Sequence, residues 1–222
     1  MRQIRLIFQK EREARYISHL DLNRVFMRGL MLSGIPVKCT EGFNPRPYLV
    51  FGAPLPLGFS GWRETLDIGV LDDEMSFEEM VGRFQGALPI GVEVIAAQEV
   101  VRKNKEIWFG SYRFQCEGIE DPDAVEKIRG LLNGESLVIR KRTKRGEKEL
   151  DLVGLLPWAE WSMPAEGVVE CACVLPLNGE NSVSPQLLTQ ALTQHLPQFR
   201  PTYERYERLG FLTQQRENFV QL

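Results

Sequence analysis

The chain has 222 residues, 43% hydrophobic and 26% charged, with a net charge of −3. That composition excludes disordered, collagen-like and low-complexity proteins, and the length allows one large domain or two small ones. The apolar run Leu49–Phe59 is broken by Gly52, Pro54, Pro56 and Gly58, so nothing approaches the roughly 18 apolar residues of a membrane span.

The small net charge conceals an uneven distribution. Residues 1–60 carry nine basic groups against four acids, residues 61–100 carry nine acids against Arg63 and Arg83, and Arg140–Lys148 holds six basic groups and one acid. Separation of this kind fits a chain that offers one face to a polyanion, although a solvated charged face has the same signature. The first ten residues lack an apolar core long enough for a signal peptide, so a cytoplasmic chain is expected. Its four cysteines, Cys39, Cys116, Cys171 and Cys173, are then expected as free thiols, with Cys171 and Cys173 on opposite faces of one strand and unable to pair.

In chain order, Arg2–Phe8 alternates polar and apolar residues as a half-buried strand does, and Glu11–Arg15 is a charged turn. Ser18 and Asp21 have capping-box spacing ahead of a stripe of Leu22, Val25, Phe26, Leu30 and Leu32, and Gly34 with Pro36 ends it. The spacing predicts a helix over 18–33. A loop at 41–47 and a short extended piece at 48–52 follow, then a strand over 65–71, a helix over 76–88 and a strand over 92–101. The order is β-α-β-β-α-β, the split unit of ferredoxin-like folds. The second half repeats it, with strands at 112–116, 137–143, 149–155 and 168–175, helices at 122–132 and 184–195, and an extended return over 198–212. The expected class is therefore α+β: two tandem ferredoxin-like (βαββαβ) units with antiparallel sheets, over 1–104 and 112–222, joined by a linker at 105–111.

Three stretches could carry function. At the start of the first helix, Arg15 and His19 stand near free backbone amides, while Asp21, Arg24 and Arg28 share one helical face. This set could grip a phosphate, and His19 or Asp21 could serve as an acid or base; a surface ion pair is the plain alternative. The loop Glu41–Pro47 presents Phe43, Asn44 and Arg46 on a segment stiffened by Pro45 and Pro47, with Tyr48 beside it. Such a loop suits stacking and hydrogen bonding to a base. A basic hairpin brings together Arg140, Lys141, Arg142, Lys144 and Arg145, a density of cations that attracts phosphate backbones without reading sequence. No HExxH, Cys-x-x-Cys or Walker loop occurs, nor a cysteine triad for an iron–sulfur cluster. No metal and no cofactor is expected.

With those residues in view, the chain resembles the radical-SAM-linked domain family, a family of unknown function. The resemblance rests on Phe8, Lys10, Arg15, the run Ile17-Ser18-His19-Leu20-Asp21, Arg24 and Arg28, followed by Cys39–Pro47 and Pro54–Gly58. Glu64, Asp67 and the run Lys144–Asp151 also fit, and Thr40 stands where the family has serine. The resemblance implies a domain fused to, or encoded beside, a radical-SAM protein, often near a ribonuclease of the E/G type and ribosomal proteins. The tandem units are also similar in fold to the endoribonucleases that process CRISPR repeats. The function expected is a non-catalytic RNA-binding accessory to a radical-SAM enzyme acting on tRNA or rRNA, with RNA and that enzyme as partners and no membrane. The alternatives are a metal-independent RNA-processing or RNA-modifying enzyme using His19, and a protein-docking module that binds no RNA.

Overall fold

Alternation in the first strand organises everything that follows. In the computed structural model, which describes residues 1–143, 146–177, 179 and 181–220, β1 runs over Arg2–Lys10. Ile4, Leu6 and Phe8 point into the core, and the same period of two carries Lys10 inside as well. The described chain forms two compact units, Met1–Ile107 with the tail from Asn218, and Trp108–Glu217.

In the first unit, α1 spans His19–Ser33. Ser18 caps it by accepting the Asp21 N–H, and Gly34 closes it in the left-handed region at φ 66°. β2 (Leu49–Phe51), β3 (Phe59–Val70), α2 (Phe77–Gln85) and β4 (Val92–Glu99) complete the unit. The strands lie in the order β4-β1-β3-β2, and neighbours are antiparallel. α1 therefore links two strands that flank β3, and α2 links two that flank β1. Phe8 and Phe26 meet edge-on at 4.7 Å in the core between sheet and helices.

The other face of this sheet is closed as well. Arg5, 1% exposed, pairs with its cross-strand partner Asp67 through two hydrogen bonds of 2.7 Å and donates a third to Asn104. The ring of Phe219, in the C-terminal tail, covers the guanidinium at 4.4 Å.

The second unit contains β5 (Phe109–Glu117), α3 (Ala124–Leu132), β6 (Val138–Thr143), β7 (Gly146–Asp151), β8 (Trp158–Ala165), β9 (Val168–Pro176), α4 (Pro185–His195) and β10 (Tyr203–Leu212). Its sheet runs β10-β5-β9-β8, and β6 and β7 form a separate two-stranded hairpin. Two expectations are corrected here. The strands over 137–143 and 149–155 are not members of the main sheet, and its edge is β8, which no pattern had signalled. Pro164 lies within β8 where the register shifts between Ser162 and Ala165. A proline is tolerated at such an edge because no ladder donor is needed there.

The junction differs too. Asn104–Glu106 is a 3-10 turn, and Phe109–Ser111 already belong to β5. The protein is thus a mixed α+β chain with antiparallel sheets and, among the described residues, four helices. None of them is long and apolar enough to cross a membrane.

All four cysteines are free thiols, and only Cys39 is exposed. Cys171 and Cys173 share the inward face of β9, not opposite faces, because residues two apart on a strand point the same way. Burial pushes the Cys116 thiol up to about 12 and raises that of Cys171 further, with Cys173 as its hydrogen-bonded neighbour. The folded protein is therefore expected to release one equivalent of chromophore with Ellman's reagent at pH 8, from Cys39, and the remaining three only on denaturation. Rapid reaction of more than one thiol would contradict the fold described here.

Candidate nucleic-acid interface

A lysine ammonium removed from water must find acceptors. Lys10 has no exposure, and its Nζ donates to the carbonyls of Arg15 (3.2 Å) and Ile17 (3.1 Å). Those carbonyls end the 3-10 turn Arg12–Tyr16 that precedes α1, and the Arg15 carbonyl also accepts the Gly58 N–H at 2.8 Å. Glu64, 2% exposed, folds over Gly61, the residue opposite Lys10 in the β1–β3 register. A Cβ at Gly61 would lie 2.6 Å from Glu64 Cγ, so any other residue there would push the Glu64 side chain aside.

With the turn fixed, the side chains at the start of α1 take set directions. The Ser18 hydroxyl donates to Asp21 Oδ2 at 2.7 Å, and Arg24 donates to Asp21 Oδ1 at 2.9 Å. These two hydrogen bonds, Ser18 first, hold the Asp21 carboxyl below its ordinary value. Asp21 is thus an anion that offsets Arg24. His19 is half-buried, its ring edge-on to Phe51 of β2 at 5.1 Å. Arg15 lies over the Tyr16 ring at 4.8 Å and donates to its hydroxyl at 2.8 Å. Arg28 is exposed one turn beyond Arg24.

The loop at 41–47 is the tip of an arm inserted into the sheet's edge strand. Val37 bridges Val70, and Lys38 donates its N–H to Gly69 at 2.8 Å. The chain then leaves the sheet as a narrow hairpin, in which Tyr48 N–H donates to the Lys38 carbonyl (2.9 Å) and Thr40 N–H to that of Arg46 (2.7 Å). The Thr40 hydroxyl accepts the Arg46 N–H at 3.2 Å. Gly42, at φ 123°, makes the turn possible. Residues 41–46 are all exposed, and Phe43 is completely so. Among the described residues, Arg28, Lys38 and Arg46 have no carboxylate partner.

β2 connects the two clusters. Phe51 packs on Phe8 and Phe26 as well as His19, and Tyr48 stands three residues earlier at the root of the arm, about 10 Å away at the rise of a strand. Alternation places Tyr48 on the opposite face from Phe51. The structure thus places Arg15, His19, Asp21 and Arg24 around the start of α1 and Phe43, Asn44 and Arg46 at the arm tip, and the contact of His19 with Phe51 links the helix start to β2.

The basic hairpin β6–β7 belongs to the second unit. Arg140 pairs with Glu149 at 3.5 Å. Lys141 donates to the carbonyl and hydroxyl of Ser182 at 2.6 and 2.9 Å, and Lys148 to Asn181 at 3.0 Å. Burial, with Lys148 nearby, lowers the Lys141 pKa. Lys144, Arg145 and the side chain of Arg142 lie outside the described residues. Among the described residues no group of three or more His, Cys, Asp or Glu is placed to hold a metal ion.

Three contributors escaped the sequence reading as site residues: Lys10, Glu64 and Lys38. The first had a visible signal, since the series Ile4, Leu6, Phe8 continues in step to a lysine.

The architecture is that of an α+β protein with antiparallel sheets. The chain matches, over residues 3–185, a family described as an uncharacterized protein conserved in bacteria (DUF2344), and it belongs to that family. No curated protein matches it. Among solved structures, an unknown protein from Galdieria sulphuraria is similar at 13% identity, covering 94% of this chain and 98% of that one with a TM-score of 0.25.

Lys10→Met removes a donor from the carbonyls of Arg15 and Ile17, of which that of Arg15 keeps the Gly58 N–H, and removes the buried cation opposite Gly61, over which Glu64 folds. It is expected to lower unfolding stability by about 3 kcal/mol, seen as a lower urea midpoint, and adding Glu64→Gln should recover part of that loss. An unchanged midpoint for Lys10→Met would show that the buried ammonium organises nothing.

Proposed function

We propose that the protein is a non-catalytic RNA-binding accessory, built on two ferredoxin-like units, that presents single-stranded RNA to a radical-SAM enzyme acting in trans. The single observation behind this reading is the arm: a fully exposed Phe43 at the tip of a hydrogen-bonded hairpin, beside exposed and carboxylate-free Lys38 and Arg46. A solvent-exposed aromatic face on a stiff support suits stacking on an unpaired base, which a duplex does not offer. Asn44 next to it supplies amide hydrogen bonds, and Arg28 extends the cationic surface. The strand orders β4-β1-β3-β2 and β10-β5-β9-β8 support the ferredoxin-like assignment, with β6–β7 as an insertion in the second unit. The partner enzyme follows from the resemblance to radical-SAM-linked domains, and four free thiols support a reducing, cytoplasmic setting. A binding role is preferred over catalysis because Asp21 is committed to Ser18 and Arg24.

Fluorescence anisotropy with a labelled single-stranded RNA across a salt series tests the reading. The affinity is expected to fall steeply with salt, and Phe43→Ala to weaken it about tenfold, in line with a stacking contribution of about 1–3 kcal/mol per base. Arg46→Ala should reduce the salt slope by about 0.7. Absent or salt-insensitive binding, or an unchanged affinity for Phe43→Ala, would overturn it. Salt-resistant capture of a radical-SAM protein without RNA would instead make the same edge a protein-docking surface.

A further inference from the structure

The second unit carries a separate built cleft on one face of its own sheet. Alternation turns Phe114 and Cys116 of β5 and Cys171 and Cys173 of β9 toward the α4 side, where Tyr206 shares a 2.9 Å hydrogen bond with Thr189. Arg113, Gln115 and Glu170 point the opposite way. Register places Glu207 beside Arg113, Arg205 beside Gln115, and Gln115 beside Glu170. These residues line a cleft of about 270 Å³, somewhat smaller than the roughly 300–1,000 Å³ of drug-sized sites. In the first unit the corresponding face is filled: Arg5, Ile7 and Thr65 are buried, with Phe219 over Arg5.

The cleft is organised around Glu207, which is 4% exposed. Its Oε2 accepts from Arg113 Nε (3.1 Å) and Nη2 (2.7 Å), and its Oε1 forms an ion pair with Arg205 Nη2 at 2.8 Å. Across the floor, Glu170 Oε2 accepts from Gln115 Nε2 at 2.8 Å. Glu207, and then Glu170, hold the Arg113 guanidinium above its ordinary value, so it remains a cation. Two cations and two anions leave no net charge, and a phosphate would gain little there. Each guanidinium has five N–H groups and engages Glu207 with one or two, so donors remain on one flank. On the other flank the second carboxylate oxygen of Glu170 and the amide oxygen of Gln115 are acceptors.

A neutral, planar ligand with paired acceptors on one edge and paired donors on the next fits this pattern. Among the bases, guanine has it: O6 and N7 suit an arginine, and N1–H with the exocyclic amine suits a carboxylate. We propose that the cleft lined by Arg113, Gln115, Glu170, Arg205 and Glu207 binds a guanine base, as a free nucleotide or as an unstacked residue of an RNA strand. The proposal uses no residue of the arm and stands apart from the reading given for it.

Amide chemical shifts of the ¹⁵N-labelled full chain, titrated separately with GMP, AMP, CMP and inorganic phosphate, test it. GMP is expected to move the amides of Arg113–Gln115, Glu170 and Arg205–Glu207, with AMP and CMP at least about fivefold weaker, as loss of one bidentate pair implies. Phosphate should leave these amides in place. Glu170→Gln and Arg205→Gln should each weaken GMP at least about fivefold while a cooperative melting transition is retained, whereas Phe43→Ala should leave GMP binding as it is. A single-stranded RNA pentamer with one guanosine, compared with its all-uridine counterpart, separates the sources: tighter binding than GMP points to a strand, and equal binding to the free nucleotide. Equal shifts from AMP, shifts from phosphate alone, or an unaltered response in Glu170→Gln would overturn the proposal.

Discussion

The first unit depends on a lysine ammonium that has no access to water. Desolvating Lys10 is costly, and that cost is offset only if its donors meet fixed acceptors. The acceptors are main-chain carbonyls of Arg15 and Ile17, so satisfying the charge dictates the path of the chain just before α1. A hydrophobic residue in its place would fill the volume but leave that path unspecified. Buried charges of this type are weak contributors to net stability and strong determinants of a single local geometry. Here the geometry they select decides where Ser18, His19 and Asp21 point.

A second buried charge does different work in the same sheet. Arg5 and Asp67 face each other across β1 and β3 with bidentate geometry, and Asn104 and Phe219 close over them. Planar guanidinium chemistry suits this: hydrogen bonds in its plane and an aromatic ring on its face. The result is a sheet with both faces filled, which leaves the edge as the place where this unit can offer functional groups. The second unit has the opposite arrangement, with Arg113, Glu170 and Arg205 on an accessible sheet face. Two similar strand orders thus expose different surfaces, because different side chains occupy the outward positions.

Helices were legible where capping and periodicity agreed. Ser18, Ser76 and Ser184 each cap the helix expected after them, since the local hydrogen bond they make needs no tertiary context. β8 was hidden because Pro164 and the exposed Trp158 break the usual alternation, and an edge strand is defined by its neighbour more than by its own residues. The inserted hairpin β6–β7 was visible as two strands but not as a separate sheet, because pairing partners are non-local. The arm showed its turn residues, Gly42, Pro45 and Pro47, whereas the ladder through Lys38, Thr40 and Arg46 that stiffens it was not apparent. Burial of Lys10 and Glu64 was obscured by residue type, since both are usually solvated.

The arm and the cleft represent two solutions to the same entropic problem. Ordering a flexible loop on binding costs free energy for every rotamer and backbone torsion it loses. In the arm, two main-chain hydrogen bonds between Lys38–Thr40 and Arg46–Tyr48, a third to the Thr40 hydroxyl and two prolines hold Phe43 in place before any ligand arrives. In the cleft, Glu207 holds Arg113 through two hydrogen bonds and Arg205 through an ion pair. A cation locked by an internal carboxylate gives up much of its attraction for phosphate and keeps its directional donors. An unpaired cation such as Arg46 keeps the attraction and lacks the direction. The distribution of ion pairs therefore leaves cations without carboxylate partners beside the arm and oriented donors in the cleft, among the described residues.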